Sequence, residues 1–217
     1  MIQYLQGNWP DVQAALLQHI YLAILPVLFG IVISLPIGYL AVRYGFLYHP
    51  LLNVSGILYA IPSLALIVVI PSIIGTKILS PINVVVALTI YTVALLVRTV
   101  ADGLKSVDPL VNQAASAMGY RRLRRLVAVE LPIALPVMLA GLRVATVANI
   151  SLVSVSALIG VGGLGSLFTA GQQLHYVPPI IVGIVLSVLL AAVFDSIIVL
   201  IQRAVTPWTR AGGRASA

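Results

Sequence analysis

The sequence predicts an all-α, polytopic membrane helix bundle of about five transmembrane helices, and three observations carry that prediction. Of 217 residues, 61% are hydrophobic and 8% are charged, against about 25% charged in a soluble domain. The mean hydropathy is +1.13, so the chain has too few polar side chains to cover itself in water. Five stretches, at residues 16–42, 51–75, 82–101, 133–159 and 179–201, are rich in Leu, Ile, Val and Ala and reach the roughly 20 residues that a spanning helix needs. None shows the alternating polarity over about ten residues that marks a barrel strand.

Taken in order, the N-terminal segment MIQYLQGNWPDVQ holds no Lys or Arg. It lacks the basic start of a signal peptide, so the first span is read as retained. Pro26, Pro36, Pro62, Pro71 and Pro136 fall inside spans, where neighbouring helices can satisfy the freed carbonyls; they are read as packing kinks. The basic residues alternate between the two sides. Arg43 follows the first span, Lys105, Arg121, Arg122, Arg124 and Arg125 lie between the third and fourth, and Arg203, Arg210 and Arg214 follow the fifth. The opposite side has only Lys77. By the positive-inside rule the N-terminus is outside and the C-terminus inside. The net charge of +7 is thereby assigned to membrane flanks and lipid, and nucleic acid is not expected as a partner.

The loop between the third and fourth spans is the most structured polar segment. Asp108 can cap the free amides of a helix, and Pro109 loses nothing at the first helical position. A helix over residues 110–118 follows, with Gly119 where a left-handed C-terminal cap belongs. A second helix, residues 120–130, carries four arginines and ends at Leu131-Pro132. On physics alone this fits an interfacial amphipathic helix on anionic lipid as well as a surface presented to a protein, with Ala114 and Ala115 permitting close approach.

The spacing favours the second. Gln113-Ala114-Ala115, three residues, Gly119, nine residues, then Val129-Glu130-Leu131-Pro132 resembles the cytoplasmic loop signature of binding-protein-dependent ABC importer permeases, Glu-Ala-Ala-x3-Gly-x9-Ile-x-Leu-Pro. Val129 replaces isoleucine, and Gln113 replaces the leading glutamate, removing a charge. Residues 60–66 (AIPSLAL) and 158–165 (LIGVGGLG) are similar to the branch importing glycine betaine, choline and carnitine. The resemblance implies a type I importer permease domain over residues 16–202, a short basic cytoplasmic tail over 203–217, and a place in the bacterial cell membrane. It implies three kinds of partner: two cytoplasmic ABC ATPase subunits, a second permease subunit (identical or a paralogue), and an extracytoplasmic substrate-binding protein. ATP and Mg would be bound by the ATPase, with no cofactor and no catalytic residue in this chain. The coupling residues it implies are Gln113, Ala114, Ala115, Gly119, Val129, Leu131 and Pro132. Methionine, phosphonate or sulfonate as cargo, or a stand-alone channel or secondary transporter, are the alternatives.

Other features are read from the residues themselves. No Gly-x-x-x-x-Gly-Lys-Ser/Thr phosphate loop is present. Gly160, Gly162 and Gly165 fit a dinucleotide pattern, but they follow a membrane helix and lack the acidic residue about twenty positions on. With Gly163 they are read as a tight turn at the outer mouth and a candidate outer gate. Charges at membrane depth mark functional groups: Arg98 and Asp102, one turn apart, are expected to pair along their helix, and Arg143 and Asp195 to pair across helices. The tyrosines Tyr21, Tyr39, Tyr59 and Tyr91 are scattered, so no aromatic cage for a quaternary amine is expected. His19, His49 and His175 are far apart and cysteine is absent, so no metal site is expected.

Overall fold

The computed structural model describes residues 2–208, with side chains from residue 3. The distal part of the expected basic tail, with Arg210 and Arg214, lies outside the described residues. The chain forms nine α-helices among those residues: α1 Ile2–Arg43, α2 Gly45–Ala60, α3 Ser63–Ile74, α4 Pro81–Lys105, α5 Pro109–Ala117, α6 Arg122–Arg125, α7 Leu131–Ser156, α8 Gly165–Gln173 and α9 Val177–Val205. There is no strand among them. Four helical stretches are long and apolar enough to cross a membrane: Gln3–Arg43, Pro81–Lys105, Arg122–Ile159 and Val177–Val205.

The expected second span, 51–75, is not a single straight helix. It is the pair α2 and α3, bent by 101°, and with 16 and 12 residues each falls short of a bilayer's thickness. Pro62 is the cause. Its ring pushes the preceding residue out of the helical region, and Ile61 is extended at φ −64°, ψ 132°. Further departures follow from local chemistry. α1 starts well before residue 16, kinked at Asn8 (φ −124°, ψ 20°), whose side-chain amide donates to the Tyr4 carbonyl at 3.0 Å. The helix expected to stop at Leu131-Pro132 does not stop. α6 passes through a π-helical turn, Leu126–Glu130, directly into α7, and the wide turn absorbs the missing donor and the bulk of Pro132.

α4 is the centre of the bundle. Its most apolar stretch is 61% buried, against 11% for α9, and it packs on α1, α2, α3 and α7. Leu22, Ile67, Val84, Leu88, Ile150 and Val153 form the main core, and Val100, Leu104, Ala134 and Met138 a second at the α5 end. Lipid tails are as apolar as leucine, so association here depends on close packing and interhelical hydrogen bonds. Asn149 Nδ2 donates to Thr92 Oγ1 at 2.8 Å, joining α7 to α4. Thr89, Thr92, Thr99 and Thr146 each return a hydroxyl proton to a carbonyl one turn back, leaving few bare polar groups.

Gly30 and Gly38 let α1 lie directly on α4. A Cβ on Gly38 would sit 2.6 Å from Val100 Cγ1 and 3.2 Å from the Val97 carbonyl oxygen. Replacing Gly38 with leucine is therefore expected to force the two helices apart, at about 1–3 kcal/mol or more for an overpacked core site. The check is size-exclusion profile and membrane yield: a monodisperse wild-type yield for G38L would contradict this packing.

Candidate functional site

α5 is a short helix with both ends fixed. Asp108 accepts from the Leu110 amide at 2.8 Å and Pro109 occupies the first turn. At the other end Gly119 has φ +80°, Tyr120 N–H donates to the Ala115 carbonyl at 3.1 Å and Gly119 N–H to the Ser116 carbonyl at 3.0 Å. This is the Schellman arrangement, which needs a left-handed residue at that position. Ala115 is buried, whereas Ala114 faces solvent. The open face is Leu110, Gln113, Ala114, Ala117 and Met118, all exposed and all on one helical stripe. Leu110 and Met118, 69% and 70% exposed, are apolar anchors at the two ends of a small-residue strip.

A polar strut ties this helix to α7. Arg125 donates from Nε to Glu130 Oε1 at 2.7 Å and from Nη1 to Ser116 Oγ at 2.8 Å. Arg125 and Glu130 are five residues apart, a spacing that meets on one face only because the intervening turn is π-helical, where Leu131 N–H bonds to the Leu126 carbonyl. Leu126 and Leu131 pack on the core cluster around Leu104 and Met138, and Val129 and Pro132 are half-buried. The segment 109–132 is thus anchored into the bundle, with one face of α5 left open.

The structure brings Arg143 and Asp195 together. Arg143 donates from Nε and Nη2 to Oδ1 and Oδ2 of Asp195 at 2.7 and 2.8 Å, joining α7 to α9. It does not bring Arg98 and Asp102 into an ion pair. Asp102 instead accepts from the Tyr48 hydroxyl at 3.0 Å, and Lys105 Nζ lies 3.4 Å from the centre of the same ring. The tyrosines are less scattered than the sequence suggested. Tyr59 and Tyr91 meet edge-on with ring centres 5.7 Å apart.

At the far end of α7 the four glycines form a turn against α1. Gly160 and Gly163 have φ of +82° and +80°, while Gly162 and Gly165 lie where a Cβ would strike Gln18 and Ala157. Gln18 Oε1 accepts from Gly163 N–H at 3.2 Å, and Nδ1 of the buried His19 accepts from Leu164 N–H at 3.1 Å. That acceptance leaves the ring hydrogen on Nε2, which donates to the Ile150 carbonyl at 2.9 Å. His19 is therefore a latch joining α1, α7 and the glycine turn. Among the described residues no group of three His, Cys, Asp or Glu side chains could hold a metal.

Residues 27–207 match the description of the binding-protein-dependent transport system inner membrane component family. The chain belongs to that family. It is accordingly the permease subunit of an ABC importer, a multi-pass protein of the bacterial cell membrane. The permease is 35% identical over 209 residues, 95% of its own length and 97% of the relative's, to the osmoprotectant import permease protein OsmW of Salmonella typhimurium. It is 28% identical to the choline transport system permease protein OpuBB of Bacillus subtilis, covering 95% and 94% of the two chains. In fold it is similar to a chain of the MetNI methionine ABC transporter in an inward-facing conformation, with a TM-score of 0.82 at 24% identity over 90% of this chain and 96% of that one.

Several groups in this permease escape sequence reasoning. Arg125 and Glu130 look out of register on an ordinary helix, and the only signal is Pro132 two residues on. Leu110 and Met118 share a face with Ala114, which the i, i+4 spacing does reveal. His19 gives no sequence signal, because its partners are 131 and 145 residues away. Replacing His19 with alanine leaves the buried Leu164 N–H without an acceptor, at about 1–3 kcal/mol. The expected result is a lower melting temperature of the solubilised permease, and an unchanged one would contradict the latch.

Proposed function

We propose that this permease is the membrane half of an ATP-driven importer for an osmoprotectant quaternary amine of the glycine betaine, choline or carnitine kind. The observation that carries the cargo is the 35% identity, across nearly both full lengths, to a permease named for osmoprotectant import. The names of the Bacillus subtilis relatives, for choline and for glycine betaine, carnitine and choline, support it. The likeness to a methionine transporter is at 24% identity and speaks for the fold alone.

In this reading α5 faces the cytoplasm and the N-terminus lies outside. Two ATPase subunits, holding ATP and Mg, dock beneath two permease subunits, and a binding protein delivers cargo at the side of the glycine turn. The open stripe of α5 seats in the ATPase, with Ala114 permitting backbone approach and Leu110 and Met118 filling pockets on either side. When the ATPases close, α5 moves as a rigid piece because both its ends are capped. Arg125 passes that motion from Ser116 to Glu130, and so to α7, whose far end meets the glycine turn and His19. The chain supplies binding, stiffness and transmission, and the partner supplies hydrolysis.

The test is co-expression with the ATPase and binding protein from the same operon, followed by uptake of labelled glycine betaine and choline. ATP-dependent accumulation that vanishes without the ATPase is expected. Accumulation of neither solute refutes the cargo, and accumulation by the permease alone refutes the machine.

A further inference from the structure

We propose that the Arg143–Asp195 pair is a docking station for the two opposite charges of a zwitterionic cargo on its way through the membrane. This rests on the osmoprotectant reading above and names the groups that would hold the solute within the permease.

Arg143 stands midway along α7 and Asp195 in the second half of α9. Charges at such depth face protein or a water-filled cavity, since acyl chains solvate them poorly. Yet the two side chains remain 39% and 32% exposed. They line an open groove of about 600 Å3 whose other walls are Ala140, Val144, Val147 and Ala148. A second groove of about 290 Å3 shares Val147 and continues along the same α7–α9 seam past Ser151, Ser154 and Ser187. The Ser187 hydroxyl is buried with no hydrogen-bond partner among the described residues. An ion pair and three hydroxyls in line on one face suit a wet passage and not a lipid contact.

The pair need not break to take a guest. A guanidinium has five N–H donors, and two of Arg143's are engaged. Three remain for a cargo carboxylate, and the second lone pairs of the Asp195 oxygens face a cargo ammonium. The four charges then alternate, each keeping its neighbours of opposite sign, while the methyl groups of a quaternary amine rest on Ala140, Val144 and Ala148. Because the pair is neutral as a whole, it offers a zwitterion a shallow site from which it can leave. A bare cation meets only the Asp195 half.

The experiment compares glycine betaine, which carries both charges, with choline, which lacks the carboxylate. Uptake is measured in proteoliposomes holding the full transporter and saturating binding protein. Arg143→Lys keeps the charge but loses the planar fork. It is expected to lower betaine uptake roughly tenfold and leave choline within about twofold, whereas Asp195→Asn lowers both. A wild-type betaine-to-choline ratio in R143K overturns the proposal. If R143K fails to reach the membrane, Ala140→Leu decides: it narrows the groove and touches no charge, and should reduce uptake while ATP hydrolysis continues. Wild-type uptake by A140L overturns the site. If the unaltered transporter moves neither solute, the cargo reading fails, and this inference with it.

Discussion

Gly119→Val is expected to reduce uptake by a factor of roughly 5–30 with membrane insertion and subunit yield unchanged. Gly119 sits at φ +80°, and a β-branched residue there is strained by roughly 1–2 kcal/mol, which corresponds to that factor in an equilibrium. A Cβ at this position would meet nothing within 4 Å, so the whole effect falls on the backbone. The cap of α5 opens, Tyr120 and Gly119 lose their bonds to Ala115 and Ser116, and a stiff lever becomes a loose one. The series is graded: asparagine, which tolerates left-handed conformation, should transport almost as wild type, alanine less and valine least. Equal transport by G119N and G119V would show that the cap plays no part in coupling.

Arg125→Ala is expected to leave the ATPase attached but idling. The substitution deletes both bonds of the strut and strands the Glu130 carboxylate, whose side chain is 14% exposed. The local loss is about 1–3 kcal/mol, and it falls at the joint between α5 and α7. ATP hydrolysis should persist while uptake per ATP drops. Adding Glu130→Gln to R125A removes the stranded charge and should recover stability without recovering coupling, a separation that a double-mutant cycle reads directly. Unimpaired uptake by R125A would place transmission elsewhere.

The sequence makes plain what depends on local chemistry. Apolar stretches of membrane length, the Asp108-Pro109 start and the Gly119 stop of α5 all follow from rules that act within a few residues. The failures share a cause as well. From the sequence, Pro62 predicts a kink in a continuous span, yet with Ile61 extended the chain turns there through 101°. Pro132 predicts a helix end, yet a π turn at Leu126–Glu130 leads directly into α7. One proline broke a helix and the other did not: the residue before Pro62, Ile61, is extended, whereas the residue before Pro132, Leu131, keeps helical angles of φ −61°, ψ −47°. Asp102 found Tyr48 on another helix instead of Arg98 on its own, and Ala115 proved to face the bundle. Such choices are made by packing between segments, which no single stretch of sequence records. His19 is the extreme case, its role defined wholly by residues more than a hundred positions away.

The chain has no cysteine, so Ala114→Cys introduces one thiol into the open stripe of α5. Labelling it with a membrane-impermeant maleimide, from each side and with and without the ATPase, tests whether that stripe is the docking face. The account predicts reaction only from the cytoplasmic side, and protection once the ATPase is bound. Reaction from the outer face of intact cells, or undiminished reaction in the assembled complex, would contradict it.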